Sequence, residues 1–128
     1  INTRLNIRTA EYLNPDNRDK ASPIVLSVYE LKDQKRFAQL SYRELATNPN
    51  NTLKTSLIDI HTIEIRPNIH QELTLYINRN TRYLGVIAGY RSIDSSKWKQ
   101  VITMSNHPRH LKMDVMLQTN STRISHIS

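Results

Sequence analysis

Apolar residues recur at every second position along most of this chain, and that spacing limits what it can fold into. Side chains on a strand point alternately to opposite faces, so a period of two makes a ribbon with one dry face and one wet face. Leu5 and Ile7 alternate with Arg4, Asn6 and Arg8, and Ile24, Leu26 and Val28 alternate with Val25, Ser27 and Tyr29. Ile63 and Ile65 alternate with Thr62, Glu64 and Arg66. Leu73, Leu75 and Ile77 alternate with Glu72, Thr74, Tyr76 and Asn78, the cleanest case. Further strands are expected over residues 98–103 and through Leu111, Met113, Val115 and Leu117. A last run, residues 122–127, is expected to hairpin back through Thr119-Asn120. Seven or eight short strands, with no long helices between them, predict an all-β, two-sheet sandwich or barrel.

Two segments depart from the alternation. Residues 83–90 are apolar on both faces, as expected of a central strand covered from each side. They hold both glycines of the protein, Gly85 and Gly89, four apart and so on one face. Glycine weakens a strand interior and marks a close approach, here expected from a large side chain such as Trp98 or Phe37. The alternative is a slot for a small ligand. The second departure is a helical insertion after the second strand. Asp33 is placed to cap a first turn carrying Phe37 and Leu40, and Ser41 with Glu44 forms a capping box before Leu45. Asn48-Pro49-Asn50-Asn51 is expected to end it, and residues 53–58 read as irregular or a short helical turn.

A length of 128 residues suits one domain, taken here as 1–128. No cysteine is present, which removes disulfides, thiolate nucleophiles and thiolate metal ligands. No G-x-S-x-G elbow or glycine-rich phosphate loop occurs, so neither a hydrolase elbow nor a nucleotide fingerprint is expected, nor any cofactor. His107-Pro108-Arg109-His110 has H-x-x-H spacing, but the proline opposes the helix and the arginine opposes a cation. It reads as a solvated loop, not a metal site. The net charge of +7 suits an anionic partner, but the basic residues are scattered without a run of five or six and read first as a soluble, positive surface. Tyr29 and Tyr76 have the chemistry to stack on bases, yet no nucleic-acid motif accompanies them, and no nucleic-acid partner is expected.

Between the first two strands lies Glu-Tyr-Leu-Asn-Pro-Asp-Asn-Arg-Asp-Lys-Ala-Ser, residues 11–22. It is too long for a tight hairpin. Proline fixes φ, and Asn and Asp bond their own backbone, so Asn14-Pro15-Asp16-Asn17 is strong turn chemistry. Long ordered loops in compact domains tend to be functional. Tyr12 and Leu13 beside charged residues suit a recognition tip.

Several of these stretches, taken in order, resemble one family. They are Asn14-Pro15-Asp16, Ser22-Pro23 leading into residues 24–32, Phe37, Arg66-Pro67, residues 82–91 and Trp98-Lys99. Together they resemble the TssJ lipoproteins of the bacterial type VI secretion system over nearly the whole chain. The resemblance implies a transthyretin-like β-sandwich with a small helical insertion, facing the periplasm at the outer membrane. It implies anchoring by a lipid on a cysteine outside this chain, ahead of Ile1, in a domain that begins trimmed. It also implies binding to the periplasmic C-terminal domain of TssM, among other type VI membrane-complex subunits. The contact maps onto Leu13, Asn14, Pro15, Asp16, Asn17, Arg18, Asp19 and Lys20. Leu13 and Pro15 are expected to supply apolar contact, and Asp16, Arg18, Asp19 and Lys20 polar specificity. Where family loops carry glycine, this chain has Asn17-Arg18-Asp19 and Asn68, with asparagine suited to positive φ. The basic surface is further expected to suit anionic headgroups.

Overall fold

The computed structural model describes residues 1–104 and 110–127. Eight strands form two four-stranded sheets: β1 (Asn2–Thr9), β2 (Ile24–Leu31), β3 (Leu57–Ile65), β4 (His70–Tyr76), β5 (Tyr83–Ala88), β6 (Lys99–Thr103), β7 (His110–Leu117) and β8 (Thr122–His126). One sheet has the order β4-β1-β7-β8 and the other β3-β2-β5-β6. β1 and β7 run parallel, and the remaining neighbours are antiparallel. The all-β sandwich predicted from alternation is therefore present. The hairpin through Thr119-Asn120 joins β7 to β8 in the register Leu117↔Thr122.

Register explains the core. Leu5 lies opposite Leu73 and Met113, and Ile7 opposite Val115, so their side chains leave the first sheet together. They meet Leu26, Val28, Leu84 and Val86 from the second sheet in one buried cluster. Each such side chain contributes about 1.5–3 kcal/mol on burial.

β2 differs from its expected half-buried pattern. Apart from Val25 at 39% exposure, it is buried on both faces, because three short helices cover its outer side. These are α1 (Lys35–Gln39), α2 (Tyr42–Thr47) and α3 (Pro49–Leu53). Tyr29, Leu31, Phe37, Leu45, Leu53 and Ile87 form the second buried cluster there. The Ser41–Glu44 capping box is formed in both directions. Pro49 does not end the insertion. It sits at the first position of α3, where a missing N–H costs nothing and a fixed φ suits the helix. Asp33 accepts from Lys35 N at 3.0 Å, but the residue flanking α1 is Gln34. The ambiguous stretch after Leu53 is a 3-10 turn, Lys54–Ser56, followed by β3 from Leu57. β6 starts at Lys99, one residue later than expected.

β5 is central, between β2 and β6, as its unbroken apolar run requires. A Cβ at Gly85 would lie 2.5 Å from the Phe37 ring, and one at Gly89 would lie 2.4 Å from the Tyr42 hydroxyl. The slot over the glycines is thus filled by the insertion, with Phe37, one of the two side chains expected there, over Gly85 and Tyr42 over Gly89. Lys99 ties the insertion down by donating to the carbonyls of Phe37 (2.7 Å), Ala38 (3.2 Å) and Leu40 (2.6 Å). The burial that makes these bonds strong also lowers its pKa. His110 opens β7, and the rest of the H-x-x-H segment lies outside the described residues.

Candidate docking loop

The connection from β1 to β2 leaves the sandwich through a tightly bonded neck. Ala10 N donates to Leu117 O at 2.8 Å, and Asn14 N to Thr119 O at 3.0 Å. Ser22 N closes the neck onto Leu13 O at 2.9 Å. Asn14 is the hub. Its Nδ2 donates to Pro23 O at 2.9 Å, its Oδ1 accepts from Arg91 N at 2.7 Å, and its carbonyl accepts from Ser22 Oγ. Arg91 Nε then donates to Ser22 Oγ at 3.1 Å. Asn14 takes φ 47°, a left-handed value that asparagine tolerates better than most side chains.

The tip is built around Asp16. Its Oδ1 accepts from Arg18 N at 2.8 Å and Lys20 N at 3.0 Å, while Asp16 N donates to Lys20 O at 2.8 Å. Those backbone donors, first Lys20 and then Arg18, lower the Asp16 pKa by favouring its charged form. Asp19 takes φ 59° and bonds back to Asp16 O at 3.0 Å. Positive φ therefore falls on Asp19 in the tip, not on Asn17, whereas Asn68 (φ 56°) adopts it as expected. Tyr12 Oη donates to Asp19 Oδ1 at 3.3 Å, and partial desolvation, followed by the Asp19 charge, raises its pKa.

The structure sorts the predicted site residues into two groups. Asn17, Arg18, Asp19 and Lys20 are exposed, with Pro15 and Asp16 intermediate. Leu13 is not an exposed apolar contact. Its side chain is 0% exposed and belongs to the main core, since the bond from its carbonyl to Ser22 turns it inward. Asn14, 2% exposed, likewise braces the neck. The exposed apolar group beside the tip is Tyr12, at 44%.

Sequence reading missed one constellation. Glu30, Asp59 and His61 offer ligand-type atoms all within 4.8 Å of one another. Glu30 is buried and accepts from Asn78 N (2.8 Å) and Thr81 Oγ1 (3.1 Å), with His61 Nε2 at 2.5 Å. Its Oε1 pins residues 78–81 to β2, and its Oε2 is engaged by His61. Strand pairing, which places Glu30 opposite Asp59, is the signal that would have found it.

Residues 2–120 match the type VI secretion lipoprotein family that includes VasD, EvfM and TssJ. The crystal structure of the lipoprotein TssJ1 from Pseudomonas aeruginosa is similar at 28% identity and TM-score 0.92, over 99% of this chain and 96% of that one. Serratia marcescens Lip, a membrane-bound component of the type VI secretion system, shares the fold at 19% identity and TM-score 0.90, over 97% and 96%. A chain in the structure of the TssM C-terminal domain from EAEC shares it at 18% identity and TM-score 0.82, over 98% of each. No protein among those with curated descriptions matches. The strand order, the helical cover over β2 and the match over nearly the whole sequence agree: the chain belongs to the TssJ family of type VI secretion lipoproteins.

Proposed function

We propose that this domain is a non-catalytic docking module that binds the periplasmic C-terminal domain of TssM through the tip of the β1–β2 loop. It acts at the periplasmic face of the outer membrane, held there by a lipid on a cysteine that precedes Ile1. The observation that carries the reading is the division of the loop into a buried neck and an exposed, internally bonded tip. A tip already ordered in the free protein loses little entropy on binding, which favours affinity. Pro15 and Tyr12 offer apolar surface, and Asp16, Arg18, Asp19 and Lys20 set charge register.

Calorimetric titration against the periplasmic domain of the cognate TssM tests this. The variant replaces Pro15 through Lys20 with Gly/Ser and keeps Leu13 and Asn14, so that the core survives. Circular dichroism then reports the fold separately. Binding lost with a preserved fold is the expected result. Binding that persists at wild-type affinity would move the interface off the loop.

A further inference from the structure

β1 separates two poles of the sandwich. At one end Ile1 and Ile77 exchange backbone bonds of 2.8 and 2.9 Å. At the other, Thr9 N donates to Ile69 O at 3.0 Å beside the neck of the docking loop. Eight extended residues span roughly 25 Å, so Ile1 and the docking loop lie at opposite ends.

Further bonds gather other segments around Ile1. Asn78, next to Ile77, donates through its backbone to Glu30 at 2.8 Å. Arg82 N donates to Leu31 O at 2.9 Å, and Lys32 N to Ser56 O at 2.8 Å. This pole therefore presents exposed Lys32, Lys35, Lys54, Arg79 and Arg82 against exposed Asp33 and Asp59. Among the described residues the loop pole is closer to balance, with Arg18, Lys20, Arg66, Arg91, Lys97 and Arg123 facing Glu11, Asp16, Asp19, Glu64 and Asp94. The Ile1 pole also carries Tyr76, paired in register with Asn2 and 77% exposed. A phenol with an apolar body and polar tip, at the same end of the sandwich as these lysines and arginines, suits a membrane-interface contact.

We propose that the Ile1 pole is a contact surface for the anionic phospholipid headgroups of a bilayer. Lys32, Lys35, Lys54, Arg79 and Arg82 face the headgroup phosphates, and Tyr76 sits at the interface. The proposal rests on the reading above, in which a lipid ahead of Ile1 would deliver this pole to the membrane and leave the docking loop pointing away. Near an anionic surface each basic residue is worth roughly fivefold in partitioning, and the effect fades within a Debye length.

Flotation of the domain with vesicles tests it, comparing phosphatidylcholine alone with an equal mixture of phosphatidylcholine and phosphatidylglycerol. The domain is expected to partition onto the mixed vesicles and to be released by salt. Combining Lys32→Gln, Arg79→Gln and Arg82→Gln should lower that partitioning roughly a hundredfold. The same loss of charge at the other pole, Arg66→Gln with Lys97→Gln and Arg123→Gln, should lower it far less. Tyr76→Ser should weaken binding at every salt concentration. Equal losses from the two triple variants, indifference to anionic lipid, or no partitioning at all would overturn the proposal. The same preparations are titrated with the periplasmic TssM domain, so a failure of the docking reading is seen separately. If the Ile1-pole triple variant weakened that titration and left the vesicles unaffected, the surface would be a protein contact and the lipid proposal would fall.

Discussion

Asn14→Ala should loosen the docking loop at its neck and destabilise the whole domain. The substitution removes the bonds to Pro23 O and from Arg91 N, at 2.9 and 2.7 Å, around a side chain only 2% exposed. A buried polar group left without a partner costs about 1–3 kcal/mol. Both groups lie near the surface, so the low end applies, and together they account for about 2 kcal/mol. Alanine must also hold φ near 47°, which adds about 1 kcal/mol. The expected loss is about 3 kcal/mol, a large share of the 5–15 kcal/mol that typically stabilises a domain. Asn14→Gly separates the two contributions: it loses the same bonds but accepts the backbone angle, so about 2 kcal/mol should be lost. Urea unfolding followed by circular dichroism and Trp98 fluorescence measures both variants. Titration with TssM under conditions where each remains folded should show weaker binding, because the tip must then be ordered on contact. The reasoning is refuted if alanine costs less than about 0.5 kcal/mol, or if glycine is no better than alanine.

Leu13→Ala should cost about 2–5 kcal/mol in stability by opening a core cavity, yet leave the affinity of the folded protein for its partner nearly unchanged. Lys20→Ala should do the reverse, with unaltered stability and a slower, less salt-dependent association in stopped-flow measurements. Gly85→Ala should destabilise by about 1–3 kcal/mol or more, because its Cβ would meet the Phe37 ring at 2.5 Å, and Phe37→Leu in the same chain should recover part of the loss. Asp16 has a lowered pKa in the folded loop, so its stabilising bonds are present above the unfolded carboxylate pKa and are lost as pH falls through the folded value. Amide exchange at Arg18 and Lys20 should accelerate in that acid range, and Asp16→Asn should remove the pH dependence; unchanged protection in the wild type would contradict it.

Alternation placed most of the strands, because a half-buried strand writes its two faces directly into the sequence. β5 was legible instead from its unbroken apolar run, and only the end of β3 around Ile63 and Ile65 was legible, although the strand begins at Leu57. Alternation was least informative on β2, where Val25, Ser27 and Tyr29 read as a solvent face. Tyr29 is in fact covered by the insertion and Ser27 is buried with its hydroxyl on Thr62, contacts made by residues downstream of β2 in the chain. The Ser41–Glu44 capping box was legible because both partners lie within one turn. Pro49 was misread because proline is equally at home just past one helix and at the start of the next, and neighbouring residues do not distinguish these. The loop was recognisable by length and turn chemistry. The inward turn of Leu13 was not, since it follows from a bond to Ser22, nine residues on.

Patterns of near neighbours thus determined the strand content, the sandwich class, the insertion with its cap, and the loop that departs from alternation. Local sterics and side-chain periodicity act over a few residues, and they leave their record there. Only the tertiary structure decided which loop residues are neck and which are tip, what fills the space over Gly85 and Gly89, and that Glu30 meets Asp59 and His61. It also decided that Lys32, Lys54, Arg79 and Arg82 share a pole with Tyr76. Those outcomes depend on register and on which layers cover which, and they are set by packing between segments far apart in the chain.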